Sequence, residues 1–267
     1  MKRSALWSWL WIVLGVIYFF APLLATLEFS LRASRPTLFF SLLAYQQVLG
    51  DPGFWRGLLF STLIALLTII TSLLLVLPTA YWVNLRLPQL RPVVELITLL
   101  PFVIPAIVLT FGLIKIYSGR PFHITNTTFG TNALLVGAYV VLTLPYMYRA
   151  VDTGLRAIDV RTLTEAAQSL GADSITVLTQ VIFPNLRVAL LSGTFLTLAT
   201  VIGEYTIASF LVGLNAFGPY VSQIGQNRAY QGAALALISF SLVWTMIGLI
   251  QFFNRGIPGQ SQVAGGR

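Results

Sequence analysis

The chain has 267 residues, of which 57% are hydrophobic and only 9% charged, with a mean hydropathy of +0.84. Soluble domains carry roughly 25% charged residues, so most of this surface must face lipid. The absence of cysteine excludes a disulfide scaffold, thiolate metal sites and cysteine nucleophiles, and the single histidine, His123, excludes histidine-rich metal cages. The net charge of +8 lies on arginines scattered between apolar runs, not on the clustered basic face that a nucleic-acid binder needs.

Stretches free of Asp, Glu, Lys and Arg cover 4–27, 57–85, 96–114, 121–148, 188–227 (interrupted once, by Glu204) and 229–254. A crossing helix needs about 20 apolar residues, so each window holds one span. The expected architecture is all-α, a polytopic membrane protein with six helices near 7–27, 58–82, 96–117, 132–151, 188–212 and 233–253. The first apolar run is longer than the roughly 7–15 residues of a signal-peptide core, and it is read as a retained anchor. With the N-terminus inside, ten basic residues fall on the inner side: Lys2, Arg3, Arg86, Arg91, Arg149, Arg156, Arg161, Arg187, Arg255 and Arg267. Six fall outside: Arg32, Arg35, Arg56, Lys115, Arg120 and Arg228. The excess places both termini in the cytoplasm.

Within the spans, Pro22, Pro78, Pro101, Pro105 and Pro145 require neighbouring helices or water to satisfy freed carbonyls, which indicates a packed bundle. The second span carries Ser61, Ala65, Thr68, Ser72, Val76 and Thr79 on one face. That stripe is read as a close helix contact.

The one long polar segment, 152–187, lies between the fourth and fifth spans and holds Asp152, Asp159, Glu165 and Asp173. Thr162 and Glu165 have capping-box spacing, which predicts a helix start there. Gly171 stands where a left-handed residue would end that helix. A second helix is expected over 174–183, stopping before Pro184. Ala166 and Ala167 give the first helix a low-profile face that a partner's groove could seat with little side-chain entropy lost.

The order Glu165-Ala166-Ala167, three residues, Gly171, nine residues, Val181, one residue, Phe183-Pro184 resembles the EAA signature of permease subunits of type I ABC importers. Val181 and Phe183 replace its Ile and Leu with other apolar residues. Ser61-Thr62-Leu63, Ala80-Tyr81, the run from Leu100 to Pro105 with Val108 and Gly112, and Gly203-Glu204-Tyr205 are similar to further stretches of that family. The resemblance covers about 57–255, the permease core of five helices. Residues 1–56, an N-terminal helix and outer loop, lie outside it, and 256–267 form a tail expected in the cytoplasm. It implies that Glu165, Ala166, Ala167, Leu170, Gly171 and Ala172 form the coupling helix contacting a separate ABC ATPase dimer. It also implies a second permease subunit, expected to be a different chain, and an extracytoplasmic solute-binding protein docking on the outer loop at 220–231. The setting would be a prokaryotic inner membrane. The chain itself cannot wrap ATP phosphates in a Walker loop, because neither Lys2 nor Lys115 follows a glycine. It is expected to be no enzyme and to need no cofactor or metal.

Glu204 is the one carboxylate inside a span. Thr197, Thr200 and Glu204 share a helical face, continued by Ala208 and Leu211. With Tyr205 they are candidates for the solute pathway or its gate. Two readings stand: a solute-contacting acid, or a structural acid bonded to a hydroxyl or to a partner. The segment 203–211 most resembles the polyamine, ferric-iron, thiamine and phosphonate branch, so a polyamine-like cation is the expected solute. His123 is read as a solvated loop residue. The competing class is a stand-alone channel or secondary carrier with Glu204 as its coupling group. Such a carrier would be expected to show internal repeats and several intramembrane ionisable groups. No repeat is evident.

Overall fold

The computed structural model describes residues 2–32, 40–121 and 123–254. The expected tail at 256–267, together with Arg35, Arg255 and Arg267, lies outside them. The described residues are predominantly helical, with one isolated antiparallel bridge, Arg32 to Phe40, in place of any strand. The helices are α1 (Lys2–Ser30), α2 (Leu43–Leu49), α3 (Pro52–Arg86), α4 (Arg91–Val103), α5 (Ala106–Ser118) and α6 (Thr128–Ala157). They continue as α7 (Val160–Ser169), α8 (Ser174–Asn185), α9 (Arg187–Gly203), α10 (Thr206–Leu211), α11 (Phe217–Asn227) and α12 (Ala229–Asn254).

All six expected windows are helical, but not in one way. Trp9–Ser30, Pro52–Arg86 and Thr128–Ala157 are single helices long and apolar enough to cross a membrane. The pairs Pro88–Val103 with Ala106–Ser118, and Ser174–Asn185 with Arg187–Gly203, are bent by 95° and 79°. Counting each pair as one span gives up to five, and Ala229–Thr245 is a shorter apolar helix. The expected unbroken third span is therefore two helices. Pro105 has no N–H to donate, and it forces Ile104 into an extended conformation (φ −87°, ψ 116°). Pro22, Pro78 and Pro145 instead sit inside unbroken helices.

The chain divides into two compact units: 1–56 with 220–244, and 57–219 with 245–267. In the first, Phe29 stacks on Tyr230 at 4.9 Å, the Ser30 and Tyr45 hydroxyls lie 2.7 Å apart, and Tyr220 Oη donates to Asp51 Oδ2 at 3.0 Å. Residues 57–219 hold two apolar clusters. One joins Val76, Leu77 and Tyr81 of α3 to Met147, Val151 and Leu155 of α6 and to Val177, Ile182 and Leu190 beyond α7. The other joins Ile64 and Ala65 to Leu135, Tyr139, Val201 and Ile207. The small-residue stripe is the buried face of α3 from Ser61 through Val76. In the last turn the buried position is Ala80, while Thr79 is exposed and bonds its own helix at Leu75 O. Ser61 Oγ accepts the Phe217 amide at 2.9 Å, so one stripe hydroxyl holds a distant backbone group.

Candidate functional site

The polar segment after α6 folds as a helical hairpin. Its first helix begins two residues before the expected capping box. Asp159 caps it: Oδ1 accepts the Thr162 amide at 3.1 Å and Oδ2 accepts Thr162 Oγ1 at 2.7 Å. These bonds hold the Asp159 carboxyl below the usual carboxylate range. Thr162 thus donates where it was expected to accept, and Glu165 pairs with Arg161 at 2.8 Å instead of reaching back to the helix start. The helix starts one turn early because the Asp159 carboxylate accepts the Thr162 amide in a charge-assisted bond, which leaves Thr162 already inside the helix.

Gly171 ends α7 with φ +85°. The Ala172 amide donates to Ala167 O at 3.1 Å and the Gly171 amide to Gln168 O at 2.9 Å. This is the Schellman pattern, and it needs a residue tolerant of the left-handed region. Asp173 then caps α8 through the Thr176 amide at 3.1 Å, and its carboxyl too is held below the ordinary range. The expected stop before Pro184 does not occur: helix continues to Asn185 through a π-turn at Val177–Ile182. The wider turn changes the hydrogen-bond register just ahead of Pro184, where an i to i−4 bond is impossible.

The hairpin packs by one side only. Val160 and Thr164 are buried, and Thr164 Oγ1 lies 3.1 Å from Tyr81 Oη of α3. The two alanines divide: Ala167 packs on the apolar cluster, while Ala166 is exposed beside Glu165 and Ser169. Leu170 is 90% exposed, the most exposed large apolar side chain among the described residues, and Ile175 is 71% exposed. Such a face on a short amphipathic helix has the form of a docking surface.

The second candidate group lies at the break between α9 and α10. The expected face running from Thr197 to Leu211 does not persist, because helix stops at Gly203 and Glu204 is extended (φ −71°, ψ 127°). The Glu204 carboxylate caps α10 by accepting the Ile207 amide at 2.9 Å and the Ala208 amide at 3.1 Å, and Tyr139 Oη donates to it at 3.1 Å. Thr197 is fully buried and its hydroxyl has no partner among the described residues. Thr200 is half-buried and bonds Leu196 O at 2.7 Å, whereas Tyr205 is exposed. Gly218 escaped the sequence reading: a Cβ there would collide with the Glu204 carbonyl. Its signal would have been a glycine one residue after an apolar aromatic, which is too common to notice.

A groove runs between α4, α6 and α9. One cavity of about 370 Å³ is lined by Leu99, Phe102, Tyr146, Arg149, Ser192 and Leu196 among others, and Phe102 and Tyr146 meet edge-on at 5.5 Å. A neighbouring cavity of about 310 Å³ shares Leu99 and Arg149 and adds Thr98 and Tyr148. Neither wall includes Thr197, Thr200, Glu204 or Tyr205.

The model of a family described as binding-protein-dependent transport system inner membrane component matches residues 77–257. The ferric transport system permease protein FbpB of Actinobacillus pleuropneumoniae is 28% identical over 205 residues, 76% of this chain and 28% of its own. The methionine import system permease protein MetP of Bacillus subtilis is 34% identical over 139 residues, 51% of this chain and 58% of its own. The spermidine/putrescine transport system permease protein PotB of Escherichia coli is 25% identical over 195 residues, 68% of this chain and 69% of its own. The match thus spans less than two thirds of the length of the first two relatives. Among solved structures, a bacterial ABC transporter involved in the import of the acidic polysaccharide alginate is similar with a TM-score of 0.72 and 13% identity, over 97% of both chains. The MetNI methionine ABC transporter in an inward-facing conformation follows at 0.60 and 20% identity, over 77% of this chain and 98% of that one.

Proposed function

The chain belongs to the family of binding-protein-dependent transport system inner membrane components, and on that premise we propose that it is one of two permease subunits of an ATP-driven importer. The α7–α8 hairpin carries the reading: a helix fixed to the bundle by Tyr81 and Thr164 presents Glu165, Ala166 and Leu170 outward. Its exposed apolar tip fits a groove on a separate ABC ATPase. ATP binding would close two ATPase subunits, move two such hairpins and switch the paired bundles between inward- and outward-facing forms. The second permease subunit is proposed to be a different chain. One similar solved structure is an alginate transporter in complex with its pentasaccharide-bound periplasmic protein, which supports an external binding protein here too. The hairpin side is proposed to be cytoplasmic in a prokaryotic inner membrane.

The solute is proposed to be small and to pass along the α4–α6–α9 groove. The named relatives handle iron, methionine and polyamines, so the likeness carries the family and leaves the solute to the groove's chemistry. A polyamine would need a free anion. The Glu204 carboxylate, already shared by two amides and a phenol, serves better to fix the turn that exposes Tyr205.

The chain's lack of cysteine makes the test direct. Cysteines introduced at Ala166 and Leu170 should cross-link to a co-purifying ATPase in a nucleotide-dependent manner, and one at the buried Thr164 should not. Solute uptake by vesicles holding the chain alone, or no cross-link from either exposed site, would overturn the proposal.

A further inference from the structure

We propose that Asp152 is the positioning residue through which movement of the α7 hairpin reaches α4. The inference rests on the reading of α7 as the ATPase contact. The Asp152 side chain is 6% exposed and gathers three elements. Its Oδ1 accepts from Asn84 Nδ2 of α3 at 3.1 Å, and its Oδ2 accepts from Arg91 Nη2 of α4 at 2.9 Å and from Arg156 Nη2 of α6 at 2.6 Å. Glu95 of α4 completes the node by accepting from Arg91 at 3.1 Å and Arg156 at 3.0 Å.

Two further observations make this node an attachment rather than one contact among many. Thr98 is the one buried residue among those described in α4, and Leu96, Ile97, Phe102 and Val103 are exposed on it. Apolar packing within this chain therefore holds α4 weakly, with Val94 its contact to the loop-end cluster. At its far end α4 stops at the Ile104–Pro105 bend of 95°. The helix is an arm with a proline break at one end and a charged clasp at the other. Beside it lies the 310 Å³ cavity, into whose wall the buried Tyr148 brings a hydroxyl with no partner among the described residues. The seat of α4 on α6 is thus loosely filled and leaves room for displacement.

The clasp also leads to the hairpin. Asn84 follows Tyr81 by three residues, on the same side of α3, and Tyr81 Oη touches Thr164 Oγ1 of α7. On the α6 side, Asp152 and Arg156 occupy the last two turns before the chain enters α7. A shift of α7 acts on both supports of the node. A buried carboxylate cannot leave its cations without a large desolvation cost, so Arg91, and α4 with it, follows.

The test uses the complete transporter, purified with its ATPase and placed in lipid nanodiscs. Spin labels at Val93→Cys, exposed at the clasp end of α4, and Phe129→Cys report α4 against α6, and labels at Leu170→Cys and Phe129→Cys report α7. With ATP and vanadate, both distances should change in the otherwise native chain. Asp152→Asn keeps the shape and removes the charge. In it the α4 change should shrink by more than half, while α7 still moves and ATP hydrolysis persists. Should Asp152→Asn fail to assemble, Glu95→Gln, which leaves the Asp152 bonds in place, should give a smaller loss of the α4 change. An α4 change that is absent in the native chain, or undiminished in these variants, would overturn the inference. A hairpin that stays still with nucleotide would overturn the underlying reading of α7 instead.

Discussion

Gly171 is the residue on which the hairpin turns. Its φ of +85° closes two backbone bonds at the end of α7, and a Cβ there meets nothing within 4 Å. The cost of replacing it is therefore conformational and not steric. Gly171→Ala should destabilise the turn by about 1–2 kcal/mol, raising amide exchange at Ala172 and Gly171 while leaving α6 protected. Gly171→Asn, which tolerates the left-handed region better, should recover most of that protection. Ala166 and Ala167 teach a different lesson at this scale. In the sequence they form one smooth pair, yet one faces solvent and the other packs on the core. Successive helical residues point about 100° apart, so adjacent positions seldom share a role. A bulky charge at Ala167 would first unseat the helix, and a substitution at Ala166 is the cleaner probe of docking.

At the scale of elements, two windows expected as single spans and broken in the structure, at Pro105 and at Glu204, show where pattern reading stops. The windows at 96–117 and 188–212 carry one charge each, Lys115 and Glu204, and hydropathy cannot mark a break inside them. The break at Pro105 had a visible cause, since a residue before proline avoids the helical region. Pro145 sits in an equally apolar window and the helix runs through it, so proline alone does not decide. The break at Glu204 had no local cause that could be read beforehand. Its carboxylate caps α10 while accepting from Tyr139, and Gly218 packs its backbone against the same turn, contacts made by residues distant in sequence. Glu204→Ala should therefore cost about 0.5–2 kcal/mol, the usual loss of a helix cap, and lower the thermal midpoint of the detergent-solubilised transporter. Glu204→Gln keeps an acceptor for the amides and should lose less. A midpoint unchanged in Glu204→Ala, with transport lost, would return the carboxylate to the solute pathway.

For the whole molecule, the length of α6 sets the topology. Thirty residues from Thr128 to Ala157 make a rod of about 45 Å at 1.5 Å per residue, enough to put its two ends on opposite sides of a bilayer. Phe129 at one end is 85% exposed, as is Leu170 at 90% beyond the other. In intact cells, a membrane-impermeant thiol reagent should label Phe129→Cys and should reach Leu170→Cys only after permeabilisation. The reverse pattern would invert the proposed orientation. Composition determined that the chain belongs in a membrane, because so few charges cannot clothe a globule in water, and the length of its uncharged runs determined that it is all-α. The spacing from Glu165 to Pro184 carried the hairpin turn and the resemblance to the family, because a glycine at a fixed distance from a short helix encodes a turn locally. Only the tertiary structure decided that Glu204, bonded to Tyr139, ends a span, and that Asp152 clasps α4. Each depends on which of several acceptors is nearest in space, among groups as far apart in sequence as Asn84 and Asp152, and no local pattern carries that distance.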